Sequence, residues 1–332
     1  MLILKTNLVA AVTVVVLYSG LRFLLYEADL ATTQSISRKE DEHSHFKKRN
    51  HSHPWLRTTD LIHSDNINTS PIVIEEYNTV FFLMAKVAST EFLRFITRLQ
   101  GNPHWCKSGI HLHYHNMTLL SKYSVEEAQE MMTSPKWKKV IFVRHPKARI
   151  LSAFLDKAVD NSVNFVDEFC GAYGRKGHNK NECIQKHKDF DFFVKKFSPV
   201  LNTNVHWRTI YSRIDEKWWP YIDFIGNMDS LRDDAEEFFS SIHSNIDGVS
   251  AWDRVGKSGW SGIHSNDCSD NLSSPKPFLG VSDASHTTHA IDKMKTYYTP
   301  ELEKYIEHKY ADDLTNPFFE FSPISLFPKD ES

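Results

Sequence analysis

The chain has 332 residues, of which 41% are hydrophobic and 13% aromatic, so it is long and apolar enough to bury one large core. Its formal net charge is −3 at pH 7, which excludes a protein whose whole surface attracts nucleic acid by charge. Any attraction for acidic molecules must therefore come from a local cluster of cations.

The N-terminal segment has the composition of a membrane anchor. No charged residue lies between Lys5 and Arg22, and the apolar run covers 6–26 if Arg22 places its charged end at the membrane surface. Positive charge precedes the run and acidic residues follow it, which favours a cytoplasmic N-terminus. We predict a cytoplasmic tail at 1–5 and a transmembrane signal anchor at 6–26. A cleaved signal peptide is the alternative.

The region after the anchor is polar. Residues 27–71 show no apolar periodicity, which predicts a flexible stem on the lumenal side of the membrane. From residue 72 onward, apolar runs alternate with polar turns. We therefore predict one globular domain at 72–328.

A strand–turn–helix unit lies near the start of this domain. The apolar run Thr79–Met84 is typical of a buried strand, and apolar residues then recur at helical spacing, so a helix is predicted to start near Thr90. The turn between them carries Lys86 and small residues that let the backbone approach an anion. It lacks the Gly-x-x-x-x-Gly-Lys pattern of a Walker-type nucleotide loop.

A second unit of the same kind lies at 139–154. Arg144 stands at the tip of its predicted strand, and Pro146 suits the first helical turn because proline has no N–H to leave unpaired. Arg149 and Ser152 follow, three residues apart on the same helix. Turns that open helices favour anions, so two such turns with cations predict a ligand with two anionic groups.

Further elements are predicted along the rest of the chain. Ser124 and Glu127 form the sequence pattern of a capping box, which predicts a helix over Val125–Met132. The other predictions are a charged loop at 161–188, a short helix at Phe190–Phe197, a buried strand at Tyr221–Gly226, a helix opening at Asp229 and a long loop at Ser250–Pro277.

The order of these elements indicates the fold class. Strands separated by helices are typical of an α/β protein with a mainly parallel central sheet flanked by helices. Ligands of such sheets bind at the carboxyl ends of the strands, where both turns lie. Lys86 and Arg144 are therefore expected to share one cleft.

The two turns resemble those of the membrane-bound carbohydrate sulfotransferases, in particular the branch that includes the chondroitin and dermatan 4-O-sulfotransferases. The first family pattern is P-K-V-A-[CS]-T, and residues 85–90 stand in its place as Ala-Lys-Val-Ala-Ser-Thr. The second is F-V-R-x-P-x-x-R-L-x-S-A-[FY], and 142–154 match it. The resemblance covers about 72–325 and implies a P-loop-like sulfotransferase fold.

The resemblance also implies an activity. It implies transfer of a sulfuryl group from 3′-phosphoadenylyl sulfate (PAPS) to a hydroxyl of a carbohydrate, either a glycan or a glycosaminoglycan, by a single-pass type II protein of the Golgi membrane with its catalytic domain in the lumen. Neither a metal ion nor nucleic acid is expected. Lys86 is expected to stabilise the leaving-group oxygen. The implied PAPS-binding residues are Lys86, Val87, Ala88, Ser89 and Thr90 for the 5′-phosphosulfate, and Arg144 and Ser152, with Arg149, for the 3′-phosphate end.

Two residues depart from the family pattern. Ala85 replaces a proline, and Glu91 follows Thr90 where the family usually has a neutral residue. An acid at this position repels a phosphosulfate unless it points away. The alternative function is therefore a lumenal glycan-binding protein with an inactive sulfotransferase fold. A glycosyltransferase is disfavoured because its metal-binding D-x-D pattern occurs only at a predicted helix start, Asp189–Asp191.

A general base must take the proton of the acceptor hydroxyl. Three histidines alternate in the stretch Ile110–Asn116, which places them on one face if the stretch is extended. Related heparan sulfotransferases have a base histidine in a comparable stretch. The candidates are His113, His115 and His206, with a carboxylate such as that of Glu91 as a weaker alternative. One or two of five tryptophans are expected to stack on sugar rings, out of Trp207, Trp218, Trp219, Trp252 and Trp260.

The four cysteines support an exported protein. An even number suggests two disulfides. Cys170 and Cys183 flank a loop and can close it, which leaves Cys106 for Cys268, although other pairings and free thiols stay open. The C-x-x-C spacing that would indicate a zinc site does not occur in the sequence. N-glycosylation patterns occur at Asn68, Asn116 and Asn271.

Overall fold

Four strands form the sheet of this protein: β1 (Ile72–Ile74), β2 (Thr79–Phe82), β3 (Lys138–Val143) and β4 (Phe224–Asn227). They are hydrogen-bonded in chain order, with β1 antiparallel to β2 and the other neighbours parallel. This computed structural model describes residues 70–107, 117–260, 268, 272–280 and 288–327, which all belong to one compact unit. The predicted α/β class with a mainly parallel sheet is confirmed.

Helical segments flank the sheet. The α-helical ones are α1 (Ser89–Leu99), α2 (Val125–Thr133), α3 (Pro146–Phe154), α4 (Ser162–Asn164), α5 (Gly171–Arg175), α6 (Lys180–Lys186), α7 (Phe190–Phe192), α8 (Ser198–Val200), α9 (Leu231–Ser241), α10 (Ala290–Tyr297), α11 (Pro300–Lys309) and α12 (Ala311–Leu314). Wider π-helical turns lie at Leu155–Asp160, Phe165–Cys170, Phe193–Phe197 and Trp252–Gly256. Tighter 3₁₀ turns lie at Glu75–Tyr77, Leu120–Lys122, Tyr211–Arg213, Glu216–Tyr221 and Met228–Ser230.

The two strands that precede the predicted turns are buried. Every residue of β2 is buried, and so are the last five residues of β3. Parallel strands covered on both faces need such continuous apolar runs. Thr79 and Lys139 are the polar exceptions. The Thr79 hydroxyl donates a hydrogen bond to the Tyr77 carbonyl at 2.9 Å, and the Lys139 ammonium donates to the Trp137 carbonyl at 2.7 Å and lies 2.8 Å from the Asp223 carboxylate.

Helix α1 packs on the sheet through its aromatic residues. The ring centroid of Phe92 lies 4.4 Å from that of Phe142 on β3, and Phe95 lies 3.9 Å from Phe239 on α9. This packing fixes the direction in which the first turn of α1 points. The prediction of a helix starting near Thr90 is confirmed.

The capping box predicted at Ser124 is present at the start of α2. The Ser124 hydroxyl accepts the backbone N–H of Glu127, and the Glu127 carboxylate accepts the backbone N–H of Ser124. The strand predicted at Tyr221–Gly226 starts later, at Phe224. Tyr221 instead ends a 3₁₀ turn that is capped by the side chain of Asp215.

The loop predicted at 161–188 is wrong, because this region is largely helical. It contains α4, a π turn, α5 and α6, and buries Phe165, Cys170, Tyr173 and Cys183. Phe165 and Cys170 are five residues apart, at the two ends of the π turn. That spacing does not match the α-helical period, so the sequence pattern hid the helix. Similarly, a π turn at Trp252–Gly256 interrupts the loop predicted at Ser250–Pro277.

Both proposed cysteine pairs form disulfides, Cys170–Cys183 and Cys106–Cys268. The first closes the short connection between the π turn and α6, and the second joins residues 162 positions apart in the sequence. The pairing suggested by the sequence is therefore confirmed.

The predicted N-terminal segments lie outside the described residues, as do the asparagines of the three glycosylation patterns, Asn68, Asn116 and Asn271. This applies to the tail at 1–5, the anchor at 6–26 and all but the last two residues of the stem at 27–71. Of the helices that the structure does describe, none is long and apolar enough to cross a membrane.

Candidate active site

The turn between β2 and α1 adopts an unusual backbone conformation. Lys86 and Ala88 have φ angles of 67° and 48°, in the left-handed region that non-glycine residues rarely occupy. Each costs about 1 kcal/mol, so the surrounding structure must enforce it. The effect is to turn the chain sharply, so that α1 starts at Ser89 and its first residues, Ser89 and Thr90, line a cavity.

The turn between β3 and α3 places a second cation beside the first turn. Arg144 follows the last residue of β3, and one of its terminal nitrogens, Nη1, donates a hydrogen bond to the carbonyl of Lys86 at 3.1 Å. Its Nε is buried and has no hydrogen-bond partner in the described structure. Burial and the nearby Arg149 lower the pKa of Arg144 to about 10, against the effect of Asp229. The Nε–H group of Arg144 is thus a buried donor that can bind an acceptor atom of a ligand.

Arg149 lies behind the cavity rather than in its lining. Its side chain is 2% exposed, and its three nitrogens donate to backbone carbonyls, to Ala85 at 3.2 Å, Arg208 at 2.5 Å and Val205 at 2.8 Å. These bonds join the first turn to the segment that carries His206. The sequence placed Arg149 among the PAPS-binding residues, but in this structure it positions the backbone around the site. Val87 is also buried and does not line the cavity.

Ser152 reaches the cavity from the far end of α3. Its hydroxyl oxygen accepts a hydrogen bond from the Thr288 hydroxyl at 3.0 Å, so its own proton remains available for a ligand oxygen. His289, with a φ of 47°, immediately precedes α10, whose first residues also line the cavity. The N-termini of α1 and α10 therefore both face this space, which favours a bound anion.

The π turn after α3 adds one acidic and one basic residue, Asp156 and Lys157, to the cavity lining. The Asp156 carboxylate lies 3.1 Å from the Lys86 ammonium and 3.0 Å from the Lys157 ammonium. Consecutive side chains of an α-helix point about 100° apart. The wider π turn reduces this angle, so that both Asp156 and Lys157 line the cavity. No sequence motif contains Asp156 and Lys157, so the pattern of residues alone did not point to this pair.

His206 lies at the same cavity as Lys86. The side-chain oxygen of Asn204 accepts the backbone N–H of His206 at 3.0 Å and contacts its ring Nδ1 at 2.9 Å. Because that oxygen is an acceptor, Nδ1 carries the proton and Nε2 keeps a lone pair. Burial, followed by the charges of Lys157 and Lys86, lowers the pKa of His206 to about 3. The imidazole is therefore neutral near pH 7.

The acid at position 91 is neutralised. Glu91 is buried, and its carboxylate accepts a hydrogen bond from Arg94 at 2.7 Å. The departure from the family pattern therefore does not leave an unbalanced negative charge at the first turn.

These elements enclose a cavity of about 510 Å³, within the usual size of a small-molecule site. Its lining contains both charged or polar residues and apolar residues. The charged and polar residues include Lys86, Ser89, Thr90, Glu91, Arg144, Ser152, Asp156, Lys157, His206 and Thr288. The apolar residues include Met228, Leu231, Leu279 and Ile291. The expectation that Lys86 and Arg144 share one cleft agrees with this arrangement.

Other candidate residues are not in this cavity. His113 and His115 lie outside the described residues. The five tryptophans named from the sequence are all buried and do not line the cavity, so the expectation that one or two of them stack on sugar rings finds no support here. Within the part of the chain that the structure covers, no group of three or more His, Cys, Asp or Glu residues is placed to hold a metal ion.

Together the fold and the cavity define a class of protein: an α/β protein with a mainly parallel sheet, in which two helix-opening turns that carry cations line one cavity. The model of the sulfotransferase family matches residues 69–315. The chain therefore belongs to the sulfotransferase family, whose members transfer sulfuryl groups. No significant match is found among curated proteins or among solved structures.

Proposed function

We propose that this protein transfers a sulfuryl group from PAPS to a hydroxyl of a carbohydrate in the Golgi lumen. The observation that carries the proposal is the shared cavity of Lys86 and Arg144. They belong to two separate strand–turn–helix units, yet the Arg144 guanidinium bonds the Lys86 carbonyl, and both side chains line one space. A nucleotide with a phosphosulfate at one end and a phosphate at the other has the anionic groups that such a pair binds.

The described residues fit both ends of PAPS. Lys86, Ser89 and the N-terminus of α1 offer cationic and N–H donors to a 5′-phosphosulfate. The unpaired buried Nε of Arg144 and the free proton of Ser152 offer donors to a 3′-phosphate. Apolar residues of the lining, such as Met228 and Leu231, offer a contact surface for the adenine base of the nucleotide.

PAPS supplies an activated sulfuryl group and a bisphosphate leaving group. The protein's contribution is to hold it and to stabilise the charge that develops on the leaving oxygen. The Lys86 ammonium is well placed for this, because its side chain is only 11% exposed and its charge is little screened by water. Burial lowers the pKa of Lys86, while Asp156 opposes that shift.

A general base must take the proton from the hydroxyl of the carbohydrate acceptor, and His206 is our candidate among the described residues. Its Nε2 lone pair is fixed by the bond of Nδ1 to Asn204, and the ring lines the same cavity as Lys86. His113 and His115 stay predictions from the sequence.

The carbohydrate acceptor, the type II topology and the Golgi membrane are parts of the same proposal. They are supported by the resemblance to carbohydrate sulfotransferases and by the apolar run at 6–26. Two disulfides also fit a domain that folds in an oxidising compartment. The branch that contains the chondroitin and dermatan 4-O-sulfotransferases is the part of the family on which we base the choice of acceptor class.

The test is transfer of radiolabelled sulfate from PAPS to a panel of glycans. We expect activity in the wild type and a loss of about 10²–10³-fold in kcat for Lys86→Ala, since a charge at the leaving oxygen is removed. Arg144→Ala should mainly weaken binding of 3′,5′-ADP. Lys304→Ala, on the exposed side of α11, is the matched control and should retain activity. A protein that binds glycans but neither binds nor uses PAPS would favour the alternative, an inactive sulfotransferase fold.

A further inference from the structure

The carboxylate of Asp156 is shared by two lysines at the candidate active site. Its Oδ2 lies 3.1 Å from Lys86 Nζ and 3.0 Å from Lys157 Nζ. All three side chains line the cavity. Two ammonium groups thus meet one carboxylate oxygen in the space where an anionic ligand is proposed to bind.

The three charges are largely shielded from water. The side chains of Lys86, Asp156 and Lys157 are 11%, 19% and 26% exposed. Burial alone raises the pKa of Asp156, but Lys86 and Lys157 outweigh this effect and leave that pKa lowered. The carboxylate is therefore charged, and it offsets the repulsion between two neighbouring cations.

Asp156 has no other evident task in the described structure. Its carboxylate forms ion pairs and hydrogen bonds with Lys86 and Lys157, and with no backbone group. It does not cap a helix, because it lies inside the π turn Leu155–Asp160. Removal of its charge would therefore leave no buried backbone donor or acceptor unpaired.

We propose that Asp156 is the resident counter-ion of this site. It is a positioning residue that holds Lys86 and Lys157 side by side before a nucleotide bisphosphate arrives, and it competes with the anionic groups of that ligand for both lysines. Lys157 then becomes a second cation for the phosphosulfate end. This inference rests on the proposed use of PAPS.

Asp156→Asn keeps the size and shape of the side chain and removes its charge. The lysines then face the ligand without a competing carboxylate, so the affinity for 3′,5′-ADP should rise, on the order of tenfold for a unit charge at this range. The gain should shrink in high salt, because added ions screen the lysines. A purely structural role predicts the opposite, since a distorted site binds its ligand less tightly.

Two variants control for charge and position. Asp156→Glu retains the carboxylate and should bind 3′,5′-ADP close to the wild-type affinity. Asp160→Asn is the same change on the same π turn at an exposed position, and it should leave the affinity unchanged.

Lys157→Gln removes one of the paired cations and should weaken binding several-fold. It tests the inference even if Asp156→Asn fails to fold.

The measurement is isothermal titration calorimetry of the full-length protein with 3′,5′-ADP, at two salt concentrations. Tighter binding by Asp156→Asn alone, together with weaker binding by Lys157→Gln, supports the inference. The inference is overturned if Asp156→Asn binds 3′,5′-ADP no more tightly than the wild type, or if Lys157→Gln binds it as tightly as the wild type. In either case the proposed use of PAPS stands as long as the wild type itself binds 3′,5′-ADP. Failure of the wild type to bind 3′,5′-ADP overturns both.

Discussion

Burial controls the protonation of individual residues at the candidate site. His206 is the clearest case, because desolvation and two neighbouring lysines act in the same direction and lower its pKa to about 3. Asn204 meanwhile fixes the ring proton on Nδ1. The outcome is a neutral imidazole with an available Nε2 near pH 7, as a base for a hydroxyl requires.

This gives a prediction for the pH dependence of the reaction. In the free protein His206 is neutral down to about pH 3, so titration of this residue should cause no fall in kcat/KM between pH 8 and pH 4. A bound anion partly neutralises Lys86 and Lys157, which raises the pKa of His206. We therefore expect kcat to fall at a higher pH than kcat/KM as the solution is made more acidic. Both profiles are measured by sulfate transfer under steady-state conditions.

Replacement of the imidazole tests its role directly. We expect His206→Gln to lower kcat about 10²–10⁴-fold and to leave the binding of 3′,5′-ADP nearly unchanged. His308→Gln, at an exposed position on α11, is the control. If His206→Gln retains its kcat, the base lies elsewhere, and His113 and His115 become the next candidates.

At the scale of secondary-structure elements, the site depends on one buried arginine that joins three segments. The Arg149 guanidinium on α3 donates to carbonyls of the first turn and of the segment after α8. Its donors lie on three separate nitrogens and reach three carbonyls at different places, whereas the three donors of a lysine all lie on one nitrogen. The same element continues into the π turn that carries Asp156, so α3 and this turn place Ser152, Asp156 and Lys157 in the cavity lining.

We predict that Arg149→Lys destabilises the protein much more than Arg144→Lys does. The first change leaves at least two buried carbonyls without a donor, at about 1–3 kcal/mol each, so the free energy of unfolding should fall by about 2–5 kcal/mol. Arg144 donates a single bond to a backbone carbonyl, to Lys86, so its replacement should mainly weaken ligand binding. Urea unfolding and calorimetry with 3′,5′-ADP measure the two effects. Equal losses of stability would contradict this division of roles.

At the scale of the whole molecule, the C-terminal part packs against the start of α3. The Lys147 ammonium is buried between the carboxylates of Glu303 and Glu307, and it donates to the Ile324 carbonyl at 2.6 Å. Beside it, the ring of His145 lies 5.5 Å from that of Phe321. The helix that carries Arg149 and Ser152 is therefore held by residues more than 150 positions away in the sequence.

This contact makes the stability of the protein depend on pH. Burial, followed by the charge of Lys147, lowers the pKa of His145 from 6.5 to about 4. Between these values the unfolded chain binds more protons than the folded one, so the free energy of unfolding falls as the pH is lowered from about 6.5 to 4. His206 contributes in the same direction down to about pH 3.

We expect His145→Asn to reduce this pH dependence. His145 Nδ1 accepts the backbone N–H of Lys147 at the start of α3, and asparagine can supply an acceptor there without titrating. The measurement is urea unfolding at pH 7 and pH 5 for the wild type, His145→Asn and the exposed control His104→Asn. The assignment is wrong if His145→Asn loses as much stability between the two pH values as the wild type does.

The sequence predicted the parts of the fold that depend on local patterns. Continuous apolar runs identified β2 and β3, and a capping pattern identified α2. The shared cleft of Lys86 and Arg144 followed from a general property of parallel sheets, which place successive carboxyl ends on one edge. The helices at 161–188 were missed because π turns shift their apolar residues away from the α-helical period.

The sequence by itself indicated the class of this protein, since two cationic turns after buried strands favour an anionic ligand at one sheet edge. Only the tertiary structure decided how the other charges are arranged around that ligand. Asp156 meets Lys86 across 70 residues of sequence, and Ser152 meets Thr288 across 136. Such contacts depend on which distant segments pack together, so the local sequence around each residue does not identify its partner.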